Sequence, residues 1–462
     1  MSSKYRTYQI EKLHFRGDGL AVDVESGSRR RIHIANALPG ETVVAVEPDL
    51  PENPDQNKGP RRRYACLIEV LHPSDARVDP VCPHWRRCPA CQYLCVNAEV
   101  QQKIKYDNWV RLISRYMRLP ERTDFLPAAC RLGYRHRVDA LVFRGTLGLA
   151  PRLDVQLLES ENQKAPVIRP IPLRECVLHA PELNEWLLKV EQNLAVCGFG
   201  DGTPIGVEAF RCAGFEEQAR ITVYSMPEVA GRNRSGAEKL AEILGVSVIF
   251  QELPPKGSHV FPKPELFGAS QWYGYDTDDF GEMLFAMKGA WTPVNPENAH
   301  LIRDTLKEMI APYRYGSVLE LGCGCGTHTP VFRGHADHYV GIDAAWPAIL
   351  SAQHNAEKYD WKQVAFYTDT AEHYLDKRYY QGRRADCILM HSNRLPYSRK
   401  VAEYCMRFGA KHIFIVAPTA YAMAQECGHF TDLGYVPERL VICDTLPMTY
   451  HQMAVCHLEW RS

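Results

Sequence analysis

Three cysteines set close together constrain the fold of this chain more than any other feature of its sequence. Cys82, Cys88 and Cys91 form a C-x5-C-x2-C cluster whose intervening turns contain prolines. Thiols at this spacing can converge on one metal centre, which usually takes a fourth ligand from elsewhere in the chain. Thiolates suit both an iron–sulfur cluster and a structural zinc ion, so these residues alone leave both metals open. Without a metal, they would be ordinary buried cysteines.

The overall composition is that of a soluble globular protein. The 462 residues give room for two to four domains, and 45% of them are apolar and 24% charged. The first residues lack the apolar stretch of a secretory leader, and the most apolar later stretch, 412–424, is too short to cross a bilayer. The sixteen cysteines show no paired framework. Together these features predict a cytoplasmic protein without a membrane partner.

The net charge of −1 hides a division along the chain. Residues 1–137 carry 23 Lys and Arg against 16 Asp and Glu, a net charge of +7, and the remainder carries −8. The arginines of the basic part are clustered at 29–31, 61–63, 86–87 and 131/135/137. Clustered arginines are what phosphate binding requires, so we predict an RNA partner. The alternative, that these are solvated surface charges, stays open.

Strand and helix signals divide the chain into three parts. Residues 1–72 read as short strands broken by Gly and Pro turns, which predicts a small barrel of roughly five strands. Residues 51–60 read as a loop. A helical pattern follows at 101–117, and residues 130–285 then mix strands with turns, which suggests an α+β central domain.

From residue 286 onward, strand and helix signals alternate. The strand signals lie at 317–321, 339–343, 364–368, 386–390 and 412–416. This alternation predicts an α/β fold with a doubly wound parallel sheet, whose ligand crevice lies at the carboxyl ends of the strands. Gly322, Gly324 and Gly326 follow the first strand, Asp343 ends the second, and Asp369 follows the third. Glycines let a backbone approach a nucleotide, and an acid can accept hydrogen bonds from ribose hydroxyls. A scaffold without a nucleotide is the alternative.

The cysteine segment is similar to the iron–sulfur segment of bacterial RNA 5-methyluridine methyltransferases. The spacing of the three cysteines, the following Gln92 and the helix that starts near Gln101 carry this resemblance, which covers nearly the whole chain. In that family a fourth cysteine follows a Pro-Ile-x-x-Cys-like stretch. The resemblance therefore implies Cys176, after Pro170 and Ile171, as the fourth ligand of a [4Fe-4S] cluster.

The same resemblance implies an architecture, partners and a cofactor. Residues 1–72 would form a TRAM domain, an OB-like RNA-binding barrel, with Pro-Gly-Glu at 39–41 as in that family. Residues 73–285 would hold the iron–sulfur segment and an RNA-facing central domain. Residues 286–462 would form a class I methyltransferase domain that binds S-adenosylmethionine. The expected partner is rRNA or tRNA, and the expected state is a monomer.

Several family landmarks are altered around the expected cofactor pocket. The run from Trp291 to Asn295 stands where the family has Phe-Phe-Gln-Val-Asn, so Pro293 replaces a glutamine that helps hold the cofactor, while Asn295 is kept as a cofactor-binding residue. Gly322 stands in place of a bulky residue. At 391–394 the family's Asp-Pro-Pro-Arg is His-Ser-Asn-Arg, which keeps only the arginine.

Both catalytic positions of the family are occupied by unreactive side chains. The nucleophile motif Ser-Cys-Asn-Pro falls on the Val-Ala-Pro-Thr of 416–419, where neither Ala417 nor Pro418 has a thiol, and the motif Asp-x-Phe-Pro-x-Thr-x-His-x-Glu falls on 444–453, where Met453 replaces the base. Uracil carbon 5 becomes nucleophilic only after a cysteine adds to carbon 6, and a carboxylate must then remove a proton. We therefore predict no catalytic residue of the usual kind. Cys427 is expected to be buried inside a helix rather than a substitute nucleophile.

Three functions follow from this pattern. The first is an RNA-binding protein that still binds S-adenosylmethionine and modifies a base by different chemistry, such as methylation of an atom that is already nucleophilic. The second is a non-catalytic RNA-binding or assembly factor. The third is a redox sensor in which the metal cluster is the working part. The glycine turn, Asp343 and Asn295 favour the first function, and the altered landmarks favour the other two.

Overall fold

The computed structural model describes residues 5–25, 31–48, 63–159, 169–209, 219–254, 262–268, 272–278, 280–287 and 289–461. Within these residues the chain forms a closed barrel, a central sheet, a hairpin and a large C-terminal sheet. The predicted loop at 51–60 and four arginines of the predicted clusters, at 29–30 and 61–62, lie outside the described residues.

The N-terminal barrel has five strands in the order β1-β2-β3-β5-β4. They are β1 (Tyr5–Leu13), β2 (Gly19–Asp23), β3 (Ile32–Ile34), β4 (Thr42–Val46) and β5 (Tyr64–His72). Alternating side chains such as Tyr8, Ile10 and Val43 fill its interior, because successive residues of a strand point to opposite faces. The small N-terminal barrel predicted from the sequence is confirmed.

The central part is a seven-stranded sheet with two helices packed on one face. Its strands are β7 (Arg137–Phe143), β8 (Thr146–Leu149), β9 (Ile171–Pro172), β10 (Pro204–Ala209), β11 (Ala219–Ser225), β12 (Ser247–Glu252) and β13 (Glu265–Phe267), and its order is β13-β12-β11-β10-β7-β8-β9. The helices of this part are α2 (Leu153–Glu159), α3 (Pro181–Asn193) and α4 (Ala230–Leu244). Apolar side chains of α3 and α4 share one core with the sheet. A hairpin of β14 (Trp272–Thr277) and β15 (Met283–Met287) follows.

The C-terminal part is a doubly wound sheet, as the alternation of signals predicts. Its strands are β16 (Tyr315–Leu321), β17 (Ala336–Asp343), β18 (Val364–Thr368), β19 (Cys387–His391), β20 (His412–Ala417), β21 (Tyr435–Cys443) and β22 (Met453–Trp460). Its helices are α5 (Pro296–Ile310), α6 (Thr329–Arg333), α7 (Trp346–Lys358), α8 (Ala371–Tyr380), α9 (Arg399–Arg407) and α10 (Ala420–Asp432). The five strands from β16 to β20 are parallel, β22 is antiparallel to β20, and an apolar core lies on each face.

One strand of the large sheet comes from far away in the chain. β6 (Arg122–Leu126) pairs in parallel with β21 and completes the order β18-β17-β16-β19-β20-β22-β21-β6. The preceding helix α1 (Ala98–Ile113) shares an apolar core with α10. β6 covers the otherwise unpaired edge of β21. This strand crosses the predicted domain division, because it lies before residue 286 but belongs to the C-terminal sheet. In the part of the chain described, no helix is long and apolar enough to cross a membrane.

Candidate functional site

The four predicted cysteine ligands come together from two segments. Cys82, Cys88 and Cys91 lie on consecutive turns, where the Cys88 N–H is donated to the His84 carbonyl at 2.8 Å. Cys176 lies on a separate turn closed by a 3.1 Å bond from its N–H to the Leu173 carbonyl. The thiols of Cys82, Cys88 and Cys176 all act electrostatically on Cys91, so the four groups share one location. Leu94, Tyr134 and Leu178 pack around them.

The environment of these thiols suits a cationic centre. Burial and the neighbouring thiols raise the pKa of Cys88 to about 11, and the pKa of Cys91 and of Cys176 is also raised, mainly by burial. Thiolates here therefore need a cation to stabilise them.

The cysteine segment and α1 hold the loop at 444–453 in place. The Tyr93 N–H is donated to the Met448 carbonyl at 3.0 Å. Lys105 of α1 is fully buried, and its ammonium donates to Asp444 at 2.5 Å and to the Leu446 carbonyl at 3.1 Å. A buried ammonium is stable only when paired and hydrogen-bonded in this way. The loop therefore rests on the cysteine segment from one side.

The glycine turn lies at the carboxyl end of β16. Gly322, Gly324 and Gly326 have φ values of 77°, 55° and 80°, the left-handed region that favours glycine. The Gly324 N–H is donated to the Asp343 carboxylate at 3.0 Å, and the Ala345 N–H is donated to the same carboxylate at 2.8 Å. A Cβ added to Gly324 would meet no atom within 4 Å, so the turn is open on that side.

The other two predicted cofactor residues lie in different settings. Asp369 is beside Asp343, since its N–H is donated to the Asp343 carbonyl at 3.1 Å, and its carboxylate contacts His373 at 2.7 Å. Asn295 is buried; its side chain caps α5 through the Asn298 N–H at 3.1 Å and donates to the Thr445 carbonyl at 2.9 Å. Both ends of the Asn295 amide are thus engaged, and its contact with a cofactor stays a prediction.

Two histidines, His328 and His391, lie close together beside the glycine turn. His328 was not predicted from the sequence. His328 is 4% exposed, and neither of its ring nitrogens has a hydrogen-bond partner among the described residues. Its ring centroid is 5.3 Å from that of His391, at the end of β19. Burial lowers the pKa of His391 to about 4 and lowers the pKa of His328 as well, so both rings are neutral at pH 7. The position of His328, two residues after Gly326, was a usable signal.

Tyr397 and Glu426 give no comparable signal in the sequence. A Cβ on Gly322 would lie 2.5 Å from the His391 carbonyl oxygen and 2.9 Å from the Tyr397 hydroxyl, so Tyr397 occupies the space that a bulky residue at 322 would need. Glu426 of α10 accepts from the Ser392 hydroxyl at 2.5 Å and from the Tyr397 N–H at 2.7 Å. Glu426 therefore fixes the segment from His391 to Tyr397 against the turn.

Residues 416–419 and Met453 lie at the same end of two neighbouring strands. β20 ends at Ala417, which pairs with Ala454, and Met453 precedes Ala454 as the first residue of β22. This is the same edge of the sheet at which the glycine turn lies, since β20 is parallel to β16 through β19. Thr419 caps α10 immediately afterwards. Cys427 is fully buried inside α10, as predicted.

A basic surface adjoins this edge. Burial and the nearby charges of Arg394, Lys105, Arg135 and Arg16 lower the pKa of His451 to about 4. Arg16 comes from the barrel, Arg135 from the central part and Arg394 from the C-terminal sheet. None of these three arginines pairs with a described carboxylate. Three separate parts of the chain thus contribute positive charge near one point.

The central sheet adds an open cavity beside the glycine turn. Its volume is about 320 Å³, and it is lined by residues that include Arg137, Tyr224, Gln251 and Trp291. Trp291 is 59% exposed, and its carbonyl accepts from the Cys325 thiol of the glycine turn at 3.7 Å. Aromatic and arginine side chains of this kind can stack on nucleic-acid bases.

The similarities to known proteins span the same regions. Residues 315–428 match the family model of a methyltransferase domain. The chain is 23% identical to the 23S rRNA (uracil(1939)-C(5))-methyltransferase RlmD of Vibrio parahaemolyticus, over 99% of this chain and 97% of that protein. It is also 23% identical to an uncharacterized RNA methyltransferase of Halalkalibacterium halodurans, over 98% of this chain and 96% of that protein.

A solved structure shares the complete fold. The Pyrococcus abyssi tRNA (uracil-54, C5)-methyltransferase, in complex with S-adenosyl-L-homocysteine, superimposes with a TM-score of 0.69 at 15% identity and covers 97% of this chain and 99% of its own. The barrel, the central sheet and the C-terminal sheet therefore occur together in a known enzyme. Since both the sequence similarity and the shared fold extend over nearly the whole chain, the protein is similar to RNA (uracil-C5)-methyltransferases along its length and has the fold of the Pyrococcus abyssi enzyme.

Proposed function

We propose that the protein binds S-adenosylmethionine at the glycine turn. The open side of Gly324, the acids Asp343 and Asp369 beside it, and the unpartnered nitrogens of buried His328 all suit a polar nucleotide ligand. Asp343 and Asp369 would accept from ribose hydroxyls. Asn295 would act on the cofactor mainly by fixing the start of α5. When bound, the cofactor supplies an electrophilic methyl group.

The proposed macromolecular partner is rRNA or tRNA. Arg16, Arg135 and Arg394 would contact phosphates, and the cavity beside Trp291 would receive an unstacked base. The relatives named above act on 23S rRNA and tRNA, which supports this class of substrate. The protein is proposed to act as a monomer in the cytoplasm.

The chemistry is proposed to differ from ordinary uracil-C5 methylation. The observation that carries this proposal is the placement of Pro418, directly after β20, and Met453, the first residue of β22, at the edge where a thiol and a carboxylate would be needed. Neither side chain can add to carbon 6 or remove a proton, and each missing group is worth about 10²–10⁴-fold in rate. A base atom that is already nucleophilic needs neither group, so methylation of such an atom is the reaction that the site supports best.

The cysteine centre is proposed to hold a [4Fe-4S] cluster through Cys82, Cys88, Cys91 and Cys176. The convergence of the four cysteines in apolar surroundings, at a spacing that resembles the family's iron–sulfur segment, supports this assignment. The contacts of this segment with the loop at 444–453 give the cluster a structural role: it would keep that loop against the edge of the sheet.

One observation favours a second function, that of a non-catalytic RNA-binding or assembly factor. The Tyr397 hydroxyl lies over Gly322 and narrows the crevice at the turn. If it excludes the cofactor, RNA binding alone remains. The partial exposure of Cys82, Cys88 and Cys176 in turn favours the redox-sensor alternative, because oxidants could reach the cluster.

Calorimetric titration of the anaerobically purified protein with S-adenosylmethionine separates these functions. We expect binding that Asp343→Asn weakens at least ~10-fold, because two N–H groups and the ribose lose a charged acceptor. Asp337→Asn, an exposed change at the other end of β17, is the control and should bind normally. Mass spectrometry of rRNA and tRNA from a deletion strain should then reveal one missing methyl group. Absence of cofactor binding, with RNA binding intact, would contradict the enzymatic proposal.

A further inference from the structure

The barrel carries a second cluster of metal-ligating side chains, separate from the cysteines. His14 and Asp18 lie on the turn between β1 and β2, and His33 lies in β3. One ligand atom from each of the three side chains lies within 4.8 Å of the other two, the only such group in the described part of the chain. Neither the predicted cysteine centre nor the proposed function uses these residues.

The geometry is close to that of a coordinated metal. His33 Nδ1 lies 3.3 Å from the Asp18 carboxylate. Neighbouring ligand atoms of a tetrahedral zinc ion with bonds of 2.0–2.1 Å are about 3.3 Å apart. The His14 and His33 rings meet edge to face, with centroids 4.9 Å apart and planes at 72°. A His–Asp hydrogen bond needs only one histidine, so the presence of a second histidine ring is what indicates a metal site.

The surroundings fix these ligands. The His14 N–H is donated to the Asp18 carbonyl at 2.7 Å, which holds both residues on one tight turn. His33 is 9% exposed, and its strand pairs with both β2 and β5. Arg152, whose charge acts on Asp18, is bound to Asp154 through two nitrogens at 3.1 and 2.8 Å. The Arg16 N–H lies 3.3 Å from His14 Nδ1, a long contact that a metal could displace.

We propose that His14, Asp18 and His33 bind one divalent transition-metal ion of the zinc class, with water as the remaining ligand. Two imidazoles and one carboxylate are a ligand set that Zn²⁺ and Fe²⁺ both accept. The ion would tie the β1–β2 turn to β3. This turn also packs on the cysteine segment, since a Cβ on Gly17 would lie 2.6 Å from the Gln92 Cβ. The metal would therefore be structural and would hold exposed Phe15 and Arg16 in position.

The test is a metal count on the full-length protein, purified anaerobically with its cysteine centre intact. Mass spectrometry of the metals should find about one zinc or one additional iron per chain, which also decides between the two ions. His33→Ala and the nearly isosteric Asp18→Asn should each lose this equivalent, with at least ~10-fold weaker affinity in competition with a chromophoric chelator. His72→Ala, an exposed histidine at the end of β5 in the same barrel, should keep it.

Cobalt substitution distinguishes this site from the cysteines. Co²⁺ bound here should show visible d–d bands without sulfur-to-cobalt charge transfer, and these bands should persist in Cys88→Ser. The proposal is overturned if wild-type protein retains no metal beyond the cysteine centre and binds no Co²⁺. It is equally overturned if both site variants, shown to be folded by circular dichroism, bind metal as tightly as wild type.

Discussion

The cysteine centre and the carboxyl edge of the C-terminal sheet differ in what they share with the family that the sequence resembles. The cysteine centre has the expected side chains, whereas the sheet edge has the expected backbone without the reactive side chains. At the cysteine centre, four side chains of the expected kind converge from two segments of the chain. At the sheet edge, the strands and the glycine turn are as expected, but residues 416–419 and Met453 lack the reactive side chains. A backbone can thus keep the strands and the glycine turn of a fold while individual side chains at its edge change, since folding and catalysis depend on different atoms.

Removing one cysteine tests the first half of this comparison and should have the largest effect. We expect Cys88→Ser to lose the broad visible absorbance and the iron of the anaerobically purified protein completely, because a cubane needs all four thiolates. Absorption spectroscopy and iron analysis provide the measurement. Cys130→Ser, at an exposed cysteine outside the centre, should remain coloured. A colourless wild-type protein with stoichiometric zinc would refute the iron assignment.

Reversing charge at the basic surface tests whether both regions serve one RNA. Arg135→Glu combined with Arg394→Glu should weaken RNA binding about 10- to 100-fold at physiological salt. It should also reduce the slope of log affinity against log salt by roughly one for each phosphate that is no longer neutralised. Fluorescence anisotropy over a salt series measures both. Arg384→Glu with Lys411→Glu, two exposed residues at the opposite end of the sheet, is the control, and equal losses in the two double variants would contradict a localised interface.

The sheet edge should also respond to pH through Glu320. Burial raises the pKa of this carboxyl to about 8 from an ordinary value of 4.5. The folded state therefore keeps a proton that the unfolded chain releases, and the free energy of unfolding should fall as pH rises between these two values. Burial raises the pKa of Glu426 to about 7, which adds a smaller slope of the same sign.

Urea unfolding at pH 5 and at pH 8 measures this dependence. Glu320→Gln should reduce the loss of stability between the two pH values by about 1–3 kcal/mol, since Gln cannot ionise. Glu357→Gln, at an exposed position of α7, should leave the loss unchanged. An unchanged slope in Glu320→Gln would show that Glu320 is ionised in the folded protein.

Restoring the missing groups should have the smallest effect of all. Ala417→Cys with Met453→Glu supplies a thiol and a carboxylate at the family positions, but Pro293, Pro418 and His391 still differ from the family, and Tyr397 still narrows the turn. Catalytic groups need support to within about half an ångström, so 5-methyluridine formation on bulk RNA should stay near background. Ala417→Ser with Met453→Gln is the unreactive control. If the Cys/Glu variant methylates RNA efficiently and the control does not, the cofactor and base pockets are intact. The difference between the two regions would then be confined to the two reactive residues.

The sequence predicts local elements better than it predicts contacts between distant residues. Strand β18 begins and ends where the pattern of residues 364–368 places it, because alternation along one strand is a local signal. β6 joins β21 more than three hundred residues away, which no local pattern specifies. The convergence of the four cysteines could be predicted because their spacing resembles a known family, and their role as ligands stays a prediction. The position of Tyr397 could not be predicted, because its hydroxyl occupies space that is free only when residue 322 has no side chain.

The buried pair of Lys105 and Asp444 has a consequence for how such chains are classified. Asp444 belongs to the run in which Pro447, Thr449 and His451 also match the methyltransferase motif. Here Asp444 neutralises a buried ammonium, the Pro447 carbonyl accepts from the Tyr134 hydroxyl at 2.9 Å, and Thr449 donates to the Leu446 carbonyl at 2.8 Å. Loss of these partners would leave buried groups unpaired, so selection for folding alone suffices to preserve the motif. A chain can therefore keep this part of the methyltransferase signature through the requirements of folding, so a match to the motif identifies the fold of the loop and not the reaction.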